Sequence, residues 1–206
     1  MKKALSLISS GIDSPVATWM MMQRGLEVIA VHFSNEPFAY SSPREVAVKI
    51  CRHLGVKRLY VVKHGLLVQA ELMRKCENNS RCVLCRRMMF RISEQIARKE
   101  GCDCLITGEN LGQVASQTLE NMSVAYTATD LPVLRPILCN DKEETVQIAK
   151  KIGTYPLSIE AASCCNAVPK SPITRTSLSR ILGEESKLEM KKIVDEAVKT
   201  ADCIDL

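Results

Sequence analysis

The chain has 206 residues, 46% of them hydrophobic, and its 28 Lys and Arg against 23 Asp and Glu leave a net charge of +5. That length can bury a full core in one domain, and the mildly basic balance is compatible with nucleic acid without demanding it. No apolar run reaches the roughly 20 residues of a membrane span, and Met1-Lys2-Lys3 leads into an apolar stretch and not a secretory signal, so no membrane association and a cytoplasmic location are expected.

The first predicted element is a short buried strand over Ala4, Leu5, Leu7 and Ile8. Behind it Val16, Ala17, Met20 and Met21 recur at helical spacing. Between them lies Ser9-Ser10-Gly11-Ile12-Asp13-Ser14-Pro15, a loop of small residues aimed by two rigid elements. Unpaired amides at a helix start, little side-chain bulk and the positive end of the helix dipole favour a bound phosphate there. Asp13 would repel phosphates unless a divalent cation sat between them, which suggests magnesium on a pyrophosphate.

Strands follow over Val28 to Phe33, Arg58 to Val62, Cys104 to Thr107 and Val133 to Arg135. They alternate with helices over Pro43 to Leu54, Leu66 to Lys75, about Val83 to Lys99, Gln113 to Asn121 and Lys142 to Ile152. This rhythm predicts an α/β fold with a parallel, doubly wound sheet of about five strands and a site at their carboxyl ends. Thr154 to Thr176 has little periodicity and reads as a long ordered loop, and Leu188 to Val198 closes the chain as an amphipathic helix. The expected organisation is one domain over 1–206, with a cysteine-containing loop at 154–176 and a helical extension at 177–206.

Ten cysteines without an export signal point away from disulfides and towards metal, cluster or sulfur chemistry. Cys51, Cys102, Cys104 and Cys139 read as small buried hydrophobes, and Cys76 and Cys203 fit no pattern. Cys82 and Cys85 form a C-x-x-C at a helix start, where the dipole and Arg81, Arg86 and Arg87 favour thiolates. Cys164 and Cys165 lie in the irregular loop. Three chemistries stay open for this set: structural zinc, a redox pair, and an iron-sulfur cluster whose three protein ligands leave one iron free for an exogenous sulfur.

The loop resembles the SGGxDS signature of the PP-loop ATP pyrophosphatases, with Ser10 in place of the first glycine. That substitution matters only where the position demands a positive φ. Beyond the loop, Arg86-Arg87-Met88-Met89-Phe90-Arg91, Thr107 to Thr118, Pro132-Val133-Leu134-Arg135-Pro136, Asp141-Lys142 and Ile152-Gly153-Thr154-Tyr155 occur in the order seen in the catalytic domain of the ThiI family of tRNA 4-thiouridine synthetases. The resemblance runs from about Lys3 to Pro172. It implies a Rossmann-like PP-loop fold, similar to the adenine nucleotide alpha hydrolases, in which ATP with Mg2+ adenylates the C4 oxygen of uridine at tRNA position 8 before sulfur displaces AMP.

By that resemblance, Ser9, Ser10, Gly11, Asp13 and Ser14 form the phosphate loop, and Leu7, Ile8, His32, Phe33, Arg86, Gly108 and Gln117 contact the nucleotide. Neither the tRNA-gripping THUMP region nor the rhodanese domain of other members is expected in these residues. The C-x-x-C is similar to that of archaeal-type members, which implies a 4Fe-4S cluster on Cys82, Cys85 and Cys165, with zinc as the alternative metal. Cys164 is the alternative third ligand or a persulfide carrier. Implied partners are tRNA, a sulfur donor, a separate tRNA-binding protein and a second copy in a homodimer. Arg81, Arg86, Arg87, Arg91 and Arg98, with Lys170, Arg175 and Arg180, are the expected RNA phosphate contacts. Two other readings remain: a related adenylating enzyme acting on a small metabolite such as a thiazole precursor, and a non-catalytic nucleotide- or cluster-binding subunit.

Overall fold

The computed structural model describes residues 2–38, 42–160 and 168–206. Six strands form one sheet in the order β5-β4-β1-β2-β3-β6. The strands are β1 (Lys3–Leu7), β2 (Glu27–Phe33), β3 (Arg58–Val62), β4 (Cys104–Ile106), β5 (Val133–Leu134) and β6 (Asp202–Asp205). The first five are parallel, and β1 lies between β2 and β4 with Leu5 opposite both Ile29 and Leu105. The chain therefore winds outwards from β1 in both directions, which opens a crevice at the carboxyl ends of the central strands.

Alternation along the strands explains the two faces. Leu5, Leu7, Ile29, Val31, Phe33, Tyr60, Val62 and Leu105 pack beneath α4 (Arg81–Lys99) and α9 (Met190–Lys199). Ala4, Val28, Ala30, Leu59, Val61 and Ile106 point the other way, towards α1 (Asp13–Gln23), α2 (Ser42–Leu54) and α6 (Lys142–Lys151). On that face Ser6 is wholly buried, and its hydroxyl meets that of Thr18 at 2.7 Å, so a polar residue in β1 is matched from α1. A π-helical turn (Gly65–Gln69) leads into α3 (Ala70–Lys75), and α5 (Leu119–Tyr126) packs beside α4.

The carboxyl-terminal third departs from expectation. Part of the expected 154–176 loop is α7 (Tyr155–Glu160). The expected helical extension holds α8 (Leu178–Glu185), α9 and a sixth strand, β6, which pairs antiparallel with β3 and places Ile204 opposite Leu59. These elements complete the sheet edge and cover α4, so they belong to the core. The tie between α8 and α4 is ionic: Arg87, 1% exposed, gives Glu185 two hydrogen bonds at 2.8 and 3.2 Å, and Arg91 gives two more at 2.6 and 2.9 Å. Burial opposes ionisation of Glu185, and the bonds from Arg87 and Arg91 outweigh it, holding its carboxyl below the usual range. Arg87 is thus a core residue and not an RNA contact, and Arg91 is engaged with it. Cys51, Cys102 and Cys104 are buried as expected, whereas Cys139 is exposed. Among the described residues no helix is long and apolar enough to cross a membrane.

Candidate functional site

A cavity of about 770 Å³ opens at the carboxyl ends of β1, β2 and β4. Every residue expected to contact nucleotide lines it: Leu7, Ile8, Ser9, Ser10, Gly11, Asp13, Ser14, His32, Phe33, Arg86, Gly108 and Gln117. Cys82 and Cys85 line it too. Among the described residues its lining has three cationic side chains, Arg81, Arg86 and Lys142, against one carboxylate, Asp13, so it favours a polyanion.

The phosphate loop is held by its own serines. Ser14 Oγ accepts from the Ser9 amide at 2.8 Å and meets Ser9 Oγ at 2.9 Å, while the Gly11 amide donates to Ser9 Oγ at 3.3 Å. Among the described residues no side chain caps the start of α1, which leaves its first amides to a ligand. No described non-glycine residue has a positive φ, so Ser10 occupies the place of the signature glycine without strain. Gly108, expected to contact the nucleotide, also meets the phosphate loop. A Cβ there would lie 2.5 Å from the Ser14 amide nitrogen and 2.6 Å from its Cα. The close approach it permits is that of β4 to the phosphate loop.

His32 and Phe33 end β2 in the cavity wall. His32 Nδ1 pairs with the Ile8 carbonyl at 3.1 Å, and its buried Nε2 has no partner among the described residues. Burial pushes the His32 pKa down, so the ring is neutral, and a neutral ring that donates from Nδ1 leaves the buried Nε2 as an acceptor. Gln117 accepts from the Asn110 amide at 3.4 Å at the end of a 3-10 turn, where a longer helix is expected from the sequence. Arg86 lies 3.4 Å from the buried carboxylate of Glu109, which Arg135 also binds at 2.8 Å. Burial opposes ionisation of Glu109, and the charges of Arg86 and Arg135 overcome it, holding the carboxyl below the usual range.

Cys82 and Cys85 sit on the first turn of α4. His64 Nε2 lies 3.1 Å from Cys85 Sγ, and the Gln69 amide nitrogen is 4.0 Å from the same sulfur. Burial, with a contribution from Arg86, pushes the His64 pKa down to about 3, so its ring too is neutral. Two sulfurs on one turn, with nitrogen donors beside one of them, suit a sulfur-ligated metal or cluster. Among the described residues no three ligating side chains converge, and Cys164 and Cys165 lie outside the described residues. Asp13 is the one carboxylate of the described lining, which suits Mg2+ held by one carboxylate and the phosphates of a substrate.

Five residues without an assigned role act on the site. Lys142, at the start of α6, grips Asp13 at 2.8 and 3.1 Å, and Gln113 adds a third bond at 3.1 Å. Ser158 of α7 donates to the Gly11 carbonyl at 3.3 Å, so the helix read from the sequence as loop braces the phosphate loop. His64 and Glu109 are the others, and both act across long sequence distances. Lys142, Glu109 and Gln113 stand in stretches singled out from the sequence, although no role is legible for them there.

A parallel sheet that reverses direction beside β1, with an uncapped helix start and a cationic cavity at that point, defines a Rossmann-like nucleotide-binding fold of the PP-loop class. A family model described as Thiamine biosynthesis protein (ThiI) matches residues 1–190. A probable tRNA sulfurtransferase of Caldanaerobacter subterraneus subsp. tengcongensis is 45% identical over 199 residues, 94% of this chain and 52% of that protein. A crystal structure of a 4-thiouridine synthetase in complex with RNA and bound ATP superposes with a TM-score of 0.93 at 38% identity, over 98% of this chain and 55% of that one. The U34-tRNA thiolase NcsA of Methanococcus maripaludis, solved with its 4Fe-4S cluster, shares the fold at a TM-score of 0.57 and 19% identity, over 98% of this chain and 74% of that one. The chain belongs to the ThiI family. It spans about half the length of the curated relatives it matches.

Proposed function

We propose that this chain is the adenylating and sulfur-transferring part of an ATP-dependent tRNA sulfurtransferase that forms 4-thiouridine at position 8. The observation that carries this reading is the convergence of an uncapped phosphate loop, Arg86 and the Cys82 and Cys85 sulfurs in one cavity. The 38% identical 4-thiouridine synthetase, solved with ATP and RNA, supports the choice of nucleotide and acceptor.

In this reading β1 and β2 receive the adenine through Leu7, Ile8, His32 and Phe33. The amides of Ser9 to Ser14 hold the phosphates; Asp13 would hold Mg2+, which would neutralise phosphate charge, and Lys142, now on that carboxylate, would be free to bind a phosphate oxygen. The uridine C4 oxygen attacks the α-phosphorus, and charge builds on the departing pyrophosphate, where Arg86 and Lys142 disperse it. A sulfide-level sulfur then attacks C4 and the C4–O bond breaks with AMP as the leaving group, and proximity of the sulfur source to C4 is the main contribution of the protein. A 4Fe-4S cluster on Cys82, Cys85 and Cys165 would supply an iron-held sulfur at that point, with Cys164 as the alternative third ligand or a persulfide carrier. The exposed Lys170 and Arg175 are the RNA-facing cations this reading favours, in a cytoplasmic enzyme that acts as a homodimer with a sulfur donor and a separate tRNA-binding protein.

The test is anaerobic incubation of the iron- and sulfide-reconstituted protein with unmodified tRNA, ATP, Mg2+ and sulfide. The expected products are pyrophosphate and 4-thiouridine together. Pyrophosphate released only when a small sulfur-accepting metabolite is added would favour the metabolite reading. Release of neither product would favour a non-catalytic subunit.

A further inference from the structure

We propose that Glu109 is a positioning residue that holds the Arg86 guanidinium against the cavity wall, ready for the pyrophosphate end of a nucleoside triphosphate; this rests on the nucleotide reading above. The carboxylate is 1% exposed and its two oxygens are unequally engaged. Oε2 accepts from Thr107 Oγ1 at 3.0 Å and from Arg135 Nε at 2.8 Å. Oε1 has no hydrogen-bond partner among the described residues, and it lies 3.4 Å from Arg86 Nε. One oxygen is therefore anchored from β4 and the end of β5, and the other is a fixed negative charge directed at Arg86.

Arg86 is the complement of that arrangement. It lines the cavity with its side chain 20% exposed, and it donates no hydrogen bond to any described residue. Its position is set by charge while its hydrogen-bonding capacity stays open, whereas the guanidinium of Arg87, one residue on, bonds Glu185, Val124 and Thr127. Arg135 lies behind the wall, outside the cavity lining, with its guanidinium 5.5 Å from the Tyr126 ring. A buried carboxylate between two guanidiniums leaves one net positive charge, and the geometry points that charge into the cavity. A donor set fixed before reaction is worth more to a departing pyrophosphate than one that must swing in from solvent. The nucleoside gains nothing from it, because its contacts come from β1 and β2.

Calorimetry with two separate probes, magnesium pyrophosphate and adenosine, tests this on wild type, Glu109→Gln, Arg86→Met and the double variant. Glu109→Gln is expected to weaken pyrophosphate about tenfold, the scale of one hydrogen bond to a charged group. It should leave adenosine binding unchanged and add no further loss in the Arg86→Met background. Equal losses in both backgrounds, or parallel weakening of the two probes, would overturn the proposal in favour of a general structural role. Should Glu109→Gln not fold, Glu109→Asp keeps the charge and withdraws it by one methylene, with a smaller loss of the same pattern expected. Nitrogen NMR of the ligand-free protein separates this proposal from the nucleotide reading. The Arg86 Nε–H signal, identified by its disappearance in Arg86→Lys, should show the relaxation of an ordered side chain in wild type and of a more mobile one in either Glu109 variant. An unchanged signal would overturn the positioning role whatever the protein binds, and a wild type that binds neither probe would end the nucleotide reading on which it rests.

Discussion

Replacing Gly108 by alanine isolates the contact between the end of β4 and the phosphate loop. The added Cβ would stand 2.5 Å from the Ser14 amide nitrogen and 2.7 Å from the Asp13 carbonyl carbon, and both atoms are backbone. Ordinary contact begins near 3.4 Å, so loop and strand must part by about 0.9 Å. Overpacking of this kind costs about 1–3 kcal/mol. The displacement falls on the amides that would hold the phosphates, where an error of about 1 Å can cost on the order of a hundredfold in rate. Urea denaturation, ATP calorimetry and tRNA-dependent pyrophosphate release on one preparation measure both effects. Gly183→Ala is the matched control, because nothing lies within 4 Å of its added Cβ and a helical alanine should be neutral or stabilising by about 0.5–1 kcal/mol. A Gly108→Ala protein with wild-type stability and full ATP affinity would show that the strand and the loop are not in contact as described.

The buried ion pair between α4 and α8 should be the most costly to break: Glu185→Gln leaves Arg87 buried without a counter-charge, at about 3–5 kcal/mol in urea denaturation, and a loss below about 1 kcal/mol would contradict its role as the tie. Acid should destabilise the fold in two windows. His32 and His64 are neutral when folded and take up protons below 6.5 when unfolded, so their contribution is complete above 6.5 and falls by up to about 1.4 kcal/mol per pH unit for each ring on acidification. Glu109 and Glu185, with depressed pKa values, contribute above 4.5 and are lost below it. A urea midpoint that does not move between pH about 7.5 and about 5.5 would contradict the neutral histidines, and in His32→Asn the slope in that range should be shallower. Cys82→Ser, reconstituted anaerobically, should lose iron, acid-labile sulfide and thiolation while binding ATP as wild type does; retained iron with active thiolation would remove Cys82 from the ligand set.

The legible parts of this chain are those governed by local pattern. Short apolar runs in β1 to β3 and the small-residue loop before Val16 define strands, helix and crevice without any tertiary knowledge. The sixth strand is only half-buried at its edge, and its pairing partner lies some 140 residues earlier, so Asp202 to Asp205 carries no strong period of its own. Arg87 reads as a surface charge until α8 brings Glu185 to it. Tyr155 to Glu160 is too short for a helical period to stand out beside Pro156, and its value lies in one hydroxyl on the phosphate loop. The pairing of Lys142 with Asp13 joins two residues 129 positions apart, a relation that the fold supplies and that no local spacing encodes.

The seat of the phosphates can be located residue by residue with backbone amide NMR during a titration of MgATP. Saturable binding should shift Ser9 to Ser14 and Gly108 most strongly, with the Arg86 side chain following and the α9 surface unmoved. Saturation with the largest shifts away from the end of β1, or no shifts at all, would remove the phosphate loop from the mechanism.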